Sequence, residues 1–307
     1  MSKVLVTGGA GFIGSHVVDS LVSDGNDVFV IDNLSSGKKE NMNKAALLYQ
    51  YDIAGKELLS VMEKERPEFV FHLAAQIDVR KSVADPIEDA KINILGSINV
   101  MESARRCGVK KIIFASSGGA IYGDTKNIPT GEDEREYPIS PYGCAKLSVE
   151  RYLHYYHEVF NVPYIALRFA NVYGPRQNNK GEAGVVAIFC TKVLQNEPPV
   201  IYGDGKQTRD FVYVGDIVRA NVLAMKSKKC GAYNVGTGKE SDINTLAKHI
   251  KNSLSYKNEF HHKDGRRGEQ KRSCLSFDKI RKDLGWEPDI SLDEGIKLTA
   301  EWFEKNI

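Results

Sequence analysis

The first thirty-two residues limit the fold of this chain more than any other stretch. Lys3 to Thr7 is a short run rich in β-branched residues; Gly8-Gly9-Ala10-Gly11-Phe12-Ile13-Gly14 follows it, and a helical pattern runs from Ser15 to Ser23. The order is strand, glycine loop, helix. Without side chains the loop can turn sharply and come close to a pyrophosphate, whose charge meets the helix N-terminus. The spacing Gly8-x-x-Gly11-x-x-Gly14 is wider at its first gap than the usual dinucleotide fingerprint, and a glycine triplet alone also fits a simple turn. Asp27 to Ile31 then reads as a second strand that ends in Asp32, about eighteen residues beyond Gly14. At that distance a carboxylate can accept ribose hydroxyls. It would also repel the extra phosphate of NADP, which favours NAD even with Lys38 and Lys39 close in sequence.

The same alternation continues. Leu47 to Tyr51 reads as a third strand ending at Asp52, Gly55 to Arg66 as a helix, and Phe69 to Leu73 as a fourth strand entering Ala74-Ala75-Gln76. A helical pattern from Ile87 to Cys107 stops at Gly108, ahead of a fifth strand at Lys111 to Ala115 and a sixth at Tyr164 to Arg168. Crossovers of this length return in parallel, so the fold class is α/β with a doubly wound parallel (Rossmann) sheet. Ligands of such sheets sit beyond the carboxyl ends of the strands, which sends the glycine loop, Asp32, Ala74, Ala75, Ser116, Ser117 and Asn171 to one crevice. Past Tyr173 the elements shorten and glycine, proline and polar residues cluster. Residues 1–173 are therefore expected to form the NAD-binding domain and 174–307 a smaller α/β substrate-binding domain, with some interleaving of segments. Helical patterns fall at about 185–196, 216–225, 243–253 and 292–303, the last opened by a capping box of Ser291 and Glu294.

Between the fifth and sixth strands lies Ser140-Pro141-Tyr142-Gly143-Cys144-Ala145-Lys146. Ser140 suits an N-cap and Pro141 a first helical position, so Tyr142 and Lys146 share one helix face. A phenol of pKa about 10 is a poor base at neutral pH, and an ammonium beside it stabilises the phenolate. Such a pair can exchange a proton with an alcohol. The bland reading is an exposed tyrosine and lysine at the start of a surface helix, and only the surrounding cofactor site decides against it.

Composition removes other classes. The formal charge of +2 is nearly neutral and its signs are mixed, and no apolar run approaches the length of a bilayer span, so neither a nucleic-acid partner nor a membrane is expected. No signal peptide is expected ahead of Lys3. Cys107, Cys144, Cys190, Cys230 and Cys274 are odd in number and widely spaced, with no Cys-x-x-Cys, and read as reduced thiols of a cytoplasmic protein. Cys144 is expected to be a small buried hydrophobe. His261 and His262 read as loop or strand, and no metal site is expected.

The glycine loop, Asp32, Ser116-Ser117 and Tyr142-x-x-x-Lys146 stand in the order of the extended short-chain dehydrogenase/reductases, and the sequence resembles that superfamily along its full length. The stretches His72-Leu73-Ala74-Ala75-Gln76, Arg168-Phe169-Ala170-Asn171-Val172-Tyr173-Gly174-Pro175-Arg176 and Tyr202-Gly203-Asp204-Gly205-Lys206-Gln207-Thr208-Arg209-Asp210-Phe211 look like those of its UDP-glucose 4-epimerase branch. The resemblance implies a bound NAD and a UDP-hexose, with or without an N-acetyl group, converted through a transient 4-keto sugar. In that scheme Tyr142 takes the 4-hydroxyl proton, Lys146 holds the nicotinamide ribose and depresses the tyrosine pKa, and Ser117, with Ser116 as second choice, hydrogen-bonds the 4-oxygen. Many epimerases carry that hydroxyl where this chain has Gly118.

By the same resemblance the cofactor is held at Gly8, Gly11, Phe12, Ile13 and Gly14, at Asp32, Asn33, Leu34, Ser35, Ser36 and Gly37, and at Asp52 and Ile53. Leu73, Ala74, Ala75, Gln76, Asn93 and Phe169 complete its site together with Tyr142 and Lys146. The UDP-sugar would meet Arg80, Ser117, Gly118, Tyr142, Asn171, Val200, Ile201, Tyr202, Arg209 and Arg266. Ser273 falls where the family often has a tyrosine, which leaves room beside the sugar C2. Two alternatives remain at this stage. A nucleotide-sugar dehydratase or decarboxylase needs acidic residues after the serine, where Gly118-Gly119 offers none, and a net reductase needs cofactor exchange; a non-catalytic NAD-binding regulator could do without the tyrosine or lysine. The helices near 87–107 and 142–160 are expected to pair two copies into a homodimer through a four-helix bundle.

Overall fold

The computed structural model describes residues 1–179, 184–265 and 270–307. Six strands run β1 (Lys3–Thr7), β2 (Asp27–Ile31), β3 (Leu47–Tyr49), β4 (Phe69–His72), β5 (Lys111–Ser117) and β6 (Tyr164–Phe169). All pair in parallel, in the spatial order β6-β5-β4-β1-β2-β3, and a seventh parallel strand, Gly231–Val235, extends the sheet beyond β6. Chain order reverses between β1 and β4, which opens the ligand crevice of a doubly wound sheet above Thr7 and His72.

Apolar residues fill the middle of the sheet on both sides because both faces are covered by helices, and their alternation sorts them. Val4, Val6, Val28, Val30 and Phe71 enter one core layer with Val17, Val18 and Leu21 of helix Phe12–Ser23 and Ile217, Ala220 and Ala224 of helix Val214–Lys226. Leu5, Phe29, Ile31, Val70, Ile112 and Phe114 enter the other, against Leu58 and Met62, Val100 and Met101, and Val149 and Leu153. Those pairs lie on helices Glu57–Glu65, Gly96–Arg106 and Pro141–Phe160. Each such fully buried side chain contributes about 1.5–3 kcal/mol of transfer free energy.

The long pattern expected from Ile87 to Cys107 is one continuous rod with a defect. It starts at Pro86 under an Asp85 cap, is α-helical to Ala90, passes through a π-helical segment Lys91–Leu95, and resumes as Gly96–Arg106. The wide turn re-aims Asn93 inwards, a common use of such bulges. A third core of Phe189, Ile201, Phe211, Leu246, Ile250, Phe260, Ile296 and Phe303 carries the C-terminal part. Its helices Val185–Leu194, Ile243–Ser253 and Leu292–Asn306 follow the sequence pattern, and Ser291 Oγ accepts from Glu294 N as the capping box requires. The chain beyond Tyr173 nevertheless returns to the central sheet with helix Val214–Lys226 and the seventh strand.

Candidate active site

At the carboxyl ends of β1, β2 and β4 the glycine loop lies directly on the entry to Ala74. Gly8 adopts φ 71°, and a Cβ there would stand 2.7 Å from Ala74 N. A Cβ on Gly14 would collide with Gly8 O. Gly11 caps helix Phe12–Ser23 without a side chain, so the first-turn N–H groups face whatever occupies the cradle. Asp32, almost fully buried, accepts from Ala10 N at 3.0 Å and from Leu34 N at 2.8 Å, which ties the glycine loop to the loop after β2. A carboxylate accepts about four hydrogen bonds, so two positions remain for ribose hydroxyls. Gly37 lies against both Asp32 oxygens. Asn33 Nδ2 donates to Asp52 Oδ2 at 2.7 Å, while Ser35 and Ser36 are exposed beside them. Ile53 differs from its neighbours: its side chain is buried in the core against Gly96, and its carbonyl accepts from Asn99 Nδ2.

Deeper in the crevice, Gln76 N donates to Asn93 Oδ1 and Asn93 Nδ2 returns to Gln76 O, both at 2.9 Å. His72 is locked between Thr7 Oγ1 and Ser97 Oγ, 2.8 Å from each, and burial holds its imidazole down to about 3, so it stays neutral. The helix Pro141–Phe160, which carries Tyr142 and Lys146 and is called the catalytic helix below for the role proposed for them, begins as the sequence predicts, with Ser140 Oγ accepting from Gly143 N and Pro141 in the first turn. Lys146 is buried; its Nζ donates to Ala115 O at 2.8 Å and lies 5.7 Å from the Tyr142 ring centre. Burial pushes the ammonium down to about 8 against the pull of Asp89 and Glu150. The Tyr142 phenol is pushed up to about 12, again by burial, and a hydrogen bond with Ser117 draws it back. The sequence expectation of a depressed phenol is therefore reversed among the protein's own groups, because desolvation outweighs what the partners restore.

Ser116 and Ser117 end β5 and point to opposite faces. Ser117 takes the Tyr142 side. Ser116 is buried, donates to Glu150 Oε1 at 2.5 Å, and thereby joins Arg168. The Arg168 guanidinium reaches Glu150 Oε2 at 2.6 Å, Glu136 Oε1 at 2.8 Å and Tyr122 OH at 2.7 Å. Ser116 thus belongs to a structural network, which corrects its second-choice assignment as the hydroxyl at the sugar. Ser117→Ala is expected to lower kcat by about 10²–10³-fold with a smaller change in KM, the loss of one polar contact to the reacting oxygen. Ser116→Ala is expected to cost about 1.5–3 kcal/mol of unfolding free energy instead. Steady-state kinetics and urea unfolding of the two variants separate these effects.

Gly118 has no room for a side chain, since a Cβ would meet Leu275. A Cβ on Gly119 would stand 3.9 Å from Ser273 Oγ and 4.0 Å from Asn171 Oδ1, so these three line one space beside Ser117. Phe169 is buried at the end of β6 in the first core layer. Asp210 organises this end: its carboxylate accepts from Thr237 N, Gly238 N and Leu275 N, and its carbonyl from Asn171 N at 2.9 Å. It stands inside a stretch quoted for the resemblance, yet nothing in its sequence spacing marks it as the hub. Asp89 and Glu150 were missed for the same reason.

The nucleotide end is less unified. Val200 and Tyr202 lie on one face of a three-residue strand, while Ile201 turns into the third core, which removes its side chain from the candidate contacts. Tyr202 O accepts from Gln207 Nε2. Arg209 Nη1 donates to Thr208 O, and Thr208 N bonds Lys271 O, bringing that strand beside the Ser273 run. Arg80 is exposed on helix Val79–Ala84. Arg266 lies outside the described residues. Cys144 is exposed, contrary to its expected burial, because its helix position faces away from the sheet; all five cysteines are unpaired. His261 and His262 are in a strand. Among the described residues no group of three His, Cys, Asp or Glu could hold a metal ion, and no helix is long and apolar enough to cross a membrane.

Residues 4–236 match the NAD dependent epimerase/dehydratase family. A UDP-glucose 4-epimerase of Thermotoga maritima, solved with UDP-glucose, is 51% identical, with 99% of each chain covered and a TM-score of 0.97. The UDP-glucose 4-epimerase of Thermus thermophilus, solved with NAD, is 41% identical over 99% of this chain and 100% of that one, at a TM-score of 0.95. A UDP-N-acetylglucosamine 4-epimerase of Methanobrevibacter ruminantium, in complex with UDP-N-acetylmuramic acid, is 39% identical over 100% and 99%, also at 0.95.

Proposed function

The chain belongs to the NAD dependent epimerase/dehydratase family, and from that premise we propose that it is an NAD-dependent UDP-glucose 4-epimerase, inverting C4 of a UDP-hexose. The observation that carries this reading is the meeting of Ser117 with Tyr142 beside the buried Lys146, with Ser117 ending β5 at the same carboxyl edge of the sheet as the glycine cradle after β1. The cradle fits a dinucleotide: Gly8 and Gly14 exclude side chains where a pyrophosphate must approach, and Asp32 keeps acceptors for a ribose. Bound NAD supplies the hydride acceptor and, once reduced, the hydride donor for a transient 4-keto sugar.

The chain's own residues do the rest. Tyr142 Oη takes the 4-hydroxyl proton and later returns it, while Ser117 holds the 4-oxygen in line. Lys146 secures the nicotinamide ribose and keeps positive charge near the phenolate. Asn171 and the space around Gly119 hold the sugar loosely enough for its opposite face to be presented, and the nucleotide, held from Tyr202 and Arg209, prevents its escape. Gly118 and Gly119 place no acid directly after Ser117, which argues against the proton transfer at C5 that dehydration requires.

Ser273 is small and buried beside Gly119, which leaves space for an N-acetyl group at C2. Incubation of purified protein with UDP-galactose and with UDP-GalNAc, with products identified by NMR, is expected to give the 4-epimer of each. A dehydrated or decarboxylated product, or none, would overturn the reading. Ser273→Tyr is expected to cut turnover of the acetylated sugars by about fivefold to 150-fold relative to the plain ones, since overpacking a buried site costs about 1–3 kcal/mol. An unchanged ratio removes the pocket argument.

The working unit is a homodimer in this reading. Val83, Ile87 and Leu95 near one helix and Tyr152, Tyr155 and Val159 on the catalytic helix leave large apolar surface exposed, on the faces that a four-helix bundle would cover. Sedimentation showing only the monomer mass at micromolar concentration would rule it out. Five unpaired cysteines fit a reducing, cytoplasmic setting.

A further inference from the structure

Behind the catalytic pair sits a buried carboxylate for which the reaction scheme has no use. Asp89, on the short helix Pro86–Ala90, is 2% exposed. Its Oδ1 accepts from Gln76 Nε2 at 3.0 Å and Asn93 Nδ2 at 2.9 Å. Its Oδ2 is fully enclosed and has no hydrogen-bond partner. An enclosed carboxylate oxygen without a donor is costly and calls for compensation, of which an opposite charge nearby is one form. The helix bearing Asp89 packs against the catalytic helix, and the π-helical turn that follows is what brings Asn93 round to hold Oδ1. Lys146, buried on that neighbouring helix, is the cation whose charge Asp89 feels, and among its described hydrogen bonds it donates only to Ala115 O.

We propose that Asp89 is the internal counter-charge of Lys146, a positioning residue that acts on the ammonium and on Tyr142 through its charge, without an ion pair to either, and sets the pH range in which the pair works. The inference rests on the epimerase reading of that pair. Charged and titratable groups around it are few. From the catalytic helix Lys146 and Tyr142 both feel the Asp89 charge, which raises each of them, and Glu150 acts on Lys146 from one turn further on. From β4 comes His72, neutral in its buried site. The helix Val79–Ala84 carries Arg80 and Lys81, both exposed, and on the outer side Glu88 pairs with Lys91. Asp89 itself is raised by burial, against the pull of Gln76, Asn93 and Lys146.

The sign follows from both partners. A negative charge beside a phenol opposes its ionisation, and beside an ammonium it opposes loss of the proton. Removing it makes the Tyr142–Lys146 pair, which titrates as a unit, release both protons at lower pH. Asp89→Asn keeps the Oδ1 acceptor and the shape, and places an amide where Oδ2 had no partner. Both limbs of the kcat–pH profile are expected to move towards acid by about one pH unit, the low end of the effect of one nearby charge. With Asp89→Glu, which restores the charge, the limbs are expected to return, whatever the height of the profile.

A second readout needs no sugar turnover: the tyrosinate absorbance that Tyr142→Phe lacks should appear at lower pH in Asp89→Asn than in the unaltered protein. A merely structural carboxylate would lower the profile without moving it. Limbs that stay in place, that move towards base, or that move equally in the Asn and Glu variants overturn the proposal. If the unaltered protein gives no epimer while the tyrosinate signal still shifts, the epimerase reading fails and the counter-charge stands.

Discussion

Tyr142→Phe is expected to lower kcat for UDP-galactose by roughly 10²–10⁴-fold, the range for removing a positioned acid–base group, while KM changes by less than about threefold. The substitution keeps the ring, so the packing of the catalytic helix start, where Tyr142 N donates to Ser82 Oγ, is retained. Only the hydroxyl goes, and with it the bond to Ser117. The phenol is costly to ionise in this setting, since burial pushes it up to about 12. At pH 7.5 a group of that pKa alone would be ionised a few times in 10⁵, so in the proposed mechanism the phenolate would be favoured by Ser117, by the Lys146 charge and by NAD once bound. A phenylalanine cannot use any of these. Time-resolved NMR of sugar interconversion measures the loss, and a Tyr142→Phe enzyme within tenfold of the parent would remove Tyr142 from the chemistry.

What the sequence revealed of this site was what is written locally. The glycine loop, its helix and Asp32 lie within one strand–helix–strand unit, so their juxtaposition follows from spacing alone, and the structure ties them through Ala10 N and Leu34 N. Tyr142 and Lys146 share a face for the same reason, the helical period. Contacts made over long sequence distances were not legible. Whether Ser116 or Ser117 faces the tyrosine depends on how β5 seats against the catalytic helix, and a period of two leaves both choices open until the sheet is assembled. The inward turn of Asn93 depends on a π-helical segment with no spacing signature of its own, and Asp89 becomes part of the site only through it. Gly119 meets Ser273 across more than a hundred and fifty positions. The seventh strand escaped because Gly-Ala-Tyr-Asn-Val lacks a β-branched run and draws its place from pairing with β6. Ile201 was grouped with Val200 and Tyr202 as a substrate contact, and which face of their three-residue strand is free for a ligand is decided by the third core behind it.

The largest expected effect on stability lies just below the catalytic residues. Arg168→Met is expected to lower unfolding free energy by about 3–5 kcal/mol, the cost of leaving a buried ion without its partner. Arg168 is 3% exposed and Glu150 5%, and the pair is joined by three hydrogen bonds between 2.6 and 3.2 Å. Removing the guanidinium strands the Glu150 carboxylate with only Ser116 Oγ as donor, and deprives Tyr122 of the N–H it accepts while its own hydroxyl goes on donating to Asn234. Losing both charges behaves differently, because an apolar pair of similar volume avoids desolvation altogether. Glu150→Leu combined with Arg168→Met is therefore expected to recover at least half of the single-variant loss, and urea unfolding of the two single variants, the double variant and the parent measures it. Catalysis should not recover in step. Glu150 stands one turn from Lys146 and helps to keep it charged, and the Ser116 bond fixes the end of β5 that carries Ser117. A double variant that regains stability yet remains slow would assign the network to alignment of strand and helix; one that regains both would reduce it to packing.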